Sequence, residues 1–259
     1  MTESSDEETG KVRQYKIILL GDGAVGKTSI CEQFVNEHFA TSYKQTIGCE
    51  FYVKRIQLQS STNESLPVDA ITQFFSFFLK EIKNICNTEP TLFFWAKIAL
   101  QVWDIGGQSI GSKMLSKYIH GSDGILLIYD VTAFMTFENI QDWLTIVKTT
   151  LGNHGKAKIG LVGNKHDMSN DSTVKLSKQE DLCSREKLLS YHVSAKTNDG
   201  IDSLFYHFTA QIAGVSISKQ EIQKRTKVVK AQVIHHEPTK LLQPKNIKSS
   251  EDKKECLIL

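Results

Sequence analysis

Residues 15–28 read YKIILLGDGAVGKT. The first six are mostly apolar, with two β-branched isoleucines, and stop at a glycine, as a short buried strand does. The next eight, Gly21 to Thr28, fit G-x-x-x-x-G-K-[ST] throughout, and SICEQFVNEHF (29–39) then carries a helical pattern. Strand, glycine loop and helix in that order are the setting in which this motif has a mechanism. Gly21, Gly23, Ala24, Val25 and Gly26 turn backbone N–H groups inward to cradle phosphate oxygens. The following helix, with Ser29 in its first turn, presents its positive end. Lys27 supplies a point charge to the outer phosphates, and the Thr28 hydroxyl is a ligand for Mg²⁺. An ordinary glycine-rich turn would not need the lysine, the threonine and both flanking elements together.

Outward from this loop the chain alternates. Strand patterns occur at 49–58, 97–104, 124–131, 158–165 and 191–195, and helical patterns at 112–120, 137–150, 177–188 and 201–213. GILLIYDV (124–131) is almost wholly apolar, as a strand covered on both faces is. The alternation predicts a three-layer α/β domain over 13–215, with a mostly parallel six-stranded sheet between helices. Ligands of such sheets lie beyond the carboxyl ends of the strands, where the unusual residues cluster. Residues 1–12 are acidic and read as a solvated terminus. EIQKRTKVVKAQVI (221–234) extends a helix for a few turns within 216–259, and the polar, Lys- and Ser-rich 235–259 reads as a flexible tail.

Bulk properties narrow the classes. With 259 residues and 40% hydrophobic content a sizeable core is available. A net charge of +2 gives no reason to expect a nucleic-acid partner. The five cysteines, at 31, 49, 86, 183 and 256, make no CxxC pair, which suits a reducing compartment better than a disulfide framework or a zinc site. MTESSDEETG is no ordinary signal peptide, and there is no run of 18 apolar residues to span a membrane.

The phosphate loop does not choose between ATP and GTP, but Asn164-Lys165-His166-Asp167 does. A carboxylate accepts two donors, and guanine offers a ring N–H beside an exocyclic amine where adenine does not. Ser194-Ala195-Lys196, at the end of the next strand pattern, can present a backbone amide to the guanine carbonyl. A third stretch, WDIGGQS (103–109), ends an apolar strand in a charge, two glycines and a glutamine, an odd choice for packing alone.

GDGAVGKT, Thr46, WDIGGQ, NKHD and SAK occur in the order found in Ras-superfamily small GTPases, which the chain resembles over roughly 13–215. YKQTIGCEF (43–51) resembles the first switch of the Rab family, of which this looks like a divergent branch. Rabs tend to carry WDTAGQ and two C-terminal cysteines, and this chain departs from both. The resemblance implies Mg²⁺ held by Thr28 and Thr46 with Asp104 behind them, and bound GTP or GDP. Thr46 and the Gly107 amide would sense the γ-phosphate, Tyr43 would belong to the nucleotide-binding switch, and Gln108 would position the attacking water. Phe39 would pack on the guanine, or else in the core. In Ras itself, the best-known member, intrinsic turnover is on the order of 10⁻⁴ s⁻¹ and a partner's arginine raises it about 10⁵-fold. The implied activity is therefore a slow GTP hydrolase that acts as a switch in vesicle traffic. Its exchange factor, GTPase-activating protein and effectors would meet it at 40–51 and 104–120. Two rivals stand beside it: a GTP-binding module that does not hydrolyse, and an ATP-using phosphate-loop enzyme, which NKHD disfavours.

Thr46 and Asp104 are 58 positions apart, more than a strand, a turn and a strand require. The surplus, about 60–96, holds six of the 13 phenylalanines. Ile71, Phe74, Phe75, Phe78, Ile82 and Ile85 share one helical face. That face packs outside the domain, docks on a partner or membrane surface, or belongs to non-coding sequence carried into the chain. The chain ends Cys256-Leu257-Ile258-Leu259, a CaaX box favouring geranylgeranyl. A prenyltransferase would modify Cys256. One prenyl chain with a weak basic patch implies reversible attachment to the cytoplasmic face of an intracellular or plasma membrane, with a cytosolic pool.

Overall fold

The computed structural model describes residues 12–61, 93–152 and 155–217. The surplus segment between the strands, the helical extension past 217 and the CaaX tail lie outside the described residues. Six strands form one sheet: β1 (Arg13–Leu20), β2 (Cys49–Ser61), β3 (Phe93–Ile105), β4 (Gly124–Asp130), β5 (Lys158–Asn164) and β6 (Leu189–His192). The helices are α1 (Lys27–Asn36), α2 (Leu115–Ile119), α3 (Phe134–Glu138), α4 (Ile140–Leu151), α5 (Leu176–Glu186) and α6 (Ile201–Ala213), with 3-10 turns at Gly107–Gly111 and His166–Asp171. Strand order is β2-β3-β1-β4-β5-β6, and only the β2–β3 hairpin is antiparallel. The mostly parallel six-stranded sheet is the one the alternation predicts.

Period-two alternation divides the core. On one face Ile17 and Leu19 meet α1 and α6, where the rings of Phe34 and Phe205 stack at 3.9 Å. On the other, Ile18 and Leu20 meet α2, α4 and α5 through Leu115, Trp143 and Leu182. Both faces of β1 and β4 are thus covered, which is why their sequences read as unbroken apolar runs.

Register places the site. Leu19 pairs with Asp104, Leu20 with Leu127, Asp130 with Asn164 and Gly163 with His192. The carboxyl ends of β1, β3, β4, β5 and β6 therefore share one edge, and each sequence motif begins where its strand stops.

Several boundaries differ from the sequence reading. β2 and β3 pair as far as Ser61 with Phe93, so both ends of the expected 60–96 surplus are strand. Of the helix expected at 112–120 only Leu115–Ile119 is helical, preceded by a 3-10 turn at Gly107–Gly111. The one expected at 137–150 is two helices meeting at Asn139. The last strand lies at 189–192 instead of 191–195, because the Ser194 and Asp199 backbones bond each other at 3.0 and 3.1 Å and close a tight loop.

Candidate functional site

A cavity of about 430 Å³ opens at that edge. Its walls include Gly23, Ala24, Gly26, Lys27, Thr28 and Ser29 from the glycine loop, and Phe39, Tyr43 and Thr46 from the segment before β2. Gly107 and Gln108 after β3, Asn164 at the end of β5 with Lys165 and Asp167 beyond it, and Ala195 and Lys196 after β6 also line it. Four expected site residues, Gly21, Val25, Asp104 and Ser194, stand behind the wall and shape it.

The glycine loop is fixed by close approaches. A Cβ on Gly21, whose φ is +142°, would lie 2.1 Å from the Ile128 carbonyl oxygen. Gly26, at φ +96°, opens α1 and faces the Asn164 side chain, 2.3 Å from where its Cβ would be. Lys27 is buried, and its ammonium donates to the Gly21 and Asp22 carbonyls at 2.8 and 2.6 Å. Burial pulls the Lys27 pKa down, while Asp104 and Asp22 hold it up.

Beside it is a hydroxyl–carboxylate cluster. Thr28 Oγ1 donates to Asp104 Oδ2 at 2.5 Å and lies 2.7 Å from Thr46 Oγ1, itself 3.3 Å from the same oxygen. Asp104 is fully buried, and among the described residues its Oδ1 has no hydrogen-bond partner. Burial pushes its carboxyl pKa up; the Thr28 hydroxyl and Lys27 oppose this, and Glu50 adds to it. A buried anion with an orphaned oxygen behind two hydroxyls fits a hard divalent cation, which takes oxygen ligands and offsets such a cost.

The WDIGGQ turn closes over this cluster. A Cβ on Gly107 would lie 2.3 Å from the Gly23 nitrogen and 2.5 Å from the Asp22 carbonyl carbon, so only glycine permits this approach. Gly106 has an ordinary φ of −57°, yet a Cβ there would sit 2.6 Å from the Thr46 carbonyl oxygen. Its reason is space and not backbone conformation. Gln108 Nε2 donates to that same Thr46 carbonyl at 2.8 Å. Ile105 is buried in the core.

At the other end Asn164 is a strut. Its Nδ2 donates to the Val25 carbonyl at 2.8 Å, and its Oδ1 accepts the Ala195 N–H at 3.1 Å. The Ala195 amide is thus occupied by Asn164. Asp167 is held by the Ser194 hydroxyl at 2.7 Å. Phe39 lines the cavity and is partly buried against the core.

Some residues here had no sequence signal of their own. Asp130, at the end of β4, pairs with Lys165 at 2.6 Å. Asp22 sits at a variable position of the motif, yet its carboxylate grips Asn139 and Trp143. Beside the turn, Phe51, Trp103 and Tyr118 form an aromatic row, with centroids 5.4 and 6.2 Å apart. Phe51 is 52% exposed, and strand alternation puts it on the same side of β2 as half-exposed Val53.

The profile of the Ras family matches residues 16–69 and 78–214, passing over 70–77 inside the surplus segment. The chain belongs to the Ras family of small GTPases. Its curated relatives place it among the Rab proteins. It is 33% identical to Ras-related protein Rab-28 of Caenorhabditis elegans over 230 residues, 88% of this chain and 78% of that one. It is 30% identical to Ras-related protein SEC4 of Candida albicans, over 76% of each chain. With Ras-related protein Rab-13 of Rattus norvegicus identity is 28%, over 74% and 76%.

Proposed function

We propose that this chain is a Rab-type switch that binds GTP and GDP with Mg²⁺, hydrolyses GTP slowly and recruits effectors in vesicle traffic. The observation that carries the reading is the closure of two separate loops on the glycine loop: Thr46 on Thr28, and Gly107 on Gly23. A γ-phosphate between them would give both loops a reason to be ordered, and its loss would release them.

In this reading Gly21, Gly23, Ala24, Val25, Gly26, Lys27 and Ser29 hold phosphates, and Asp167, Lys165, Ser194, Ala195 and Lys196 frame the guanine. Phe39 and Tyr43 flank the nucleotide. Thr28 and Thr46 would hold Mg²⁺ with Asp104 behind them. The ion would supply charge neutralisation for the phosphates. Gln108 orients the attacking water. The row formed by exposed Phe51 with part-buried Trp103 and Tyr118 suits an apolar effector surface between the two switches. Among the described residues no helix is long and apolar enough to cross a membrane. Attachment is assigned to a prenyl group on Cys256.

One observation favours a second reading. The Gln108 amide already donates to Thr46, so the glutamine can serve to hold the two loops together without catalysis. Single-turnover GTP hydrolysis separates the two. In the first reading Gln108→Leu slows hydrolysis by about tenfold or more, the order expected when a group that orients a reactant is lost. Nucleotide binding with no hydrolysis by the parent establishes the non-hydrolysing module, equal measurable rates overturn the catalytic role of Gln108, and failure to bind guanine nucleotide with Mg²⁺ overturns both readings.

A further inference from the structure

Asp22 occupies the second position of the glycine loop, but its carboxylate is used elsewhere. Oδ2 accepts from Asn139 Nδ2 at 2.7 Å and Oδ1 from Trp143 Nε1 at 3.0 Å. These donors belong to one face of one helix. Asn139 is the residue before α4, and Trp143 lies one turn later. Trp143 is fully buried, so its ring cannot swing to another acceptor without opening the core. Both carboxylate oxygens are engaged, and each bond is charge-assisted.

The backbone of the same residue faces the cavity edge. Its carbonyl receives the Lys27 ammonium at 2.6 Å, and its peptide to Gly23 is the surface on which Gly107 rests. Besides the Lys27 ammonium, three neighbours hold the loop between Gly21 and Gly23. Ile128 presses on Gly21, Gly107 covers the Asp22–Gly23 peptide, and α4 grips the Asp22 side chain. Of the three, only the last is made by a side chain of the loop. The first two are contacts that prevent approach, whereas the Asp22 bonds also prevent retreat.

We propose that Asp22 is a positioning residue for the phosphates, and that its grip on the Asn139–Trp143 face of α4 sets how long the nucleotide stays bound. The inference rests on the guanine-nucleotide reading above. With the grip intact, the Asp22–Gly23 peptide holds its orientation through the thermal motion of the loop. With the grip lost, that peptide turns, the Lys27 ammonium follows its carbonyl, and two phosphate contacts loosen together.

The test measures release of a fluorescent GDP from the full-length, Mg²⁺-loaded protein. Asp22→Ala, Asn139→Ala and Trp143→Phe should each speed release, and Asp22→Ala by about tenfold, the size of a lost hydrogen bond to a charged group. Trp143→Phe removes the donor and also shrinks a fully buried ring, so it is compared with a core-truncation control on the same helix. Asp22→Asn retains hydrogen bonding to both partners once the Asn139 amide turns over, and should stay within about threefold of the parent. Combining Asp22→Ala with Trp143→Phe should add little to the larger single effect. Val147→Ala is the control: it opens the core on the same helix without touching Asp22. Parent-like release from Asp22→Ala, effects that multiply, or a Val147→Ala effect as large as Trp143→Phe would each overturn the proposal. Should Trp143→Phe not fold, the Asn139→Ala pairing with Asp22→Ala decides by the same additivity. A parent protein that does not bind GDP would instead refute the nucleotide reading itself.

Discussion

Gly106 separates two reasons for choosing glycine. Its φ is accessible to any residue, so the constraint is a carbonyl oxygen 2.6 Å from the missing methyl. Gly106→Ala should therefore strain only the state in which the Thr46 loop is closed. Overpacking of this kind costs about 1–3 kcal/mol, or roughly 5- to 160-fold in an equilibrium. Expected is a fall in affinity for a non-hydrolysable GTP analogue with GDP affinity held, read by competition for the fluorescent nucleotide. An unchanged ratio would show that the closed turn moves aside cheaply. The sequence made WDIGGQ conspicuous, and the structure brings both Asp104 and Gln108 within hydrogen-bonding distance of Thr46. The sequence could not supply the reason for Gly106, because the obstructing atom belongs to a residue 60 positions away.

Among elements, the contiguous motifs were legible and the struts between them were not. GDGAVGKT, NKHD and SAK each sit at the end of one strand, and strand order alone brings them together. The bonds that fix their spacing join Asn164 to Val25 and Asp22 to Asn139, residues 139 and 117 positions apart. Such pairs leave no local pattern. Asp130 is another case, tying the end of β4 to the loop after β5. Burial pushes its pKa up, but the Lys165 ammonium and the Thr132 donors outweigh this and hold it below 3.8. A carboxyl with a lowered folded pKa stabilises the fold above its unfolded value and loses that contribution as pH falls through the folded one. The parent should therefore shed stability below about pH 4. Asp130→Asn should be weaker by about 1 kcal/mol at pH 7 and lose less in acid, given that Lys165 is part-exposed. Urea unfolding at pH 7 and pH 3 checks both; parallel losses would exclude Asp130 as the titrating group.

For the whole molecule, the long hairpin separates what the nucleotide site needs from what the surplus segment adds. β2 begins and β3 ends at the cavity, and their far ends at Ser61 and Phe93 lie 12 residues along the strand. At about 3.3 Å per residue that is roughly 40 Å. Replacing 62–92 by a short turn should leave GDP affinity within about twofold, measured by titration; a large loss would mean that the segment reaches the site. The strut made by Asn164 has a different consequence. It joins the wall that would face the base to the loop that would face the phosphates, so the two halves order each other. Such a receptor behaves as a chelator. A nucleoside alone, or free pyrophosphate alone, must organise the shared bridge unaided and gains no effective concentration from the missing half. Cellular pools of phosphate and nucleoside would then compete poorly, and only the intact nucleotide would report on the state of the switch.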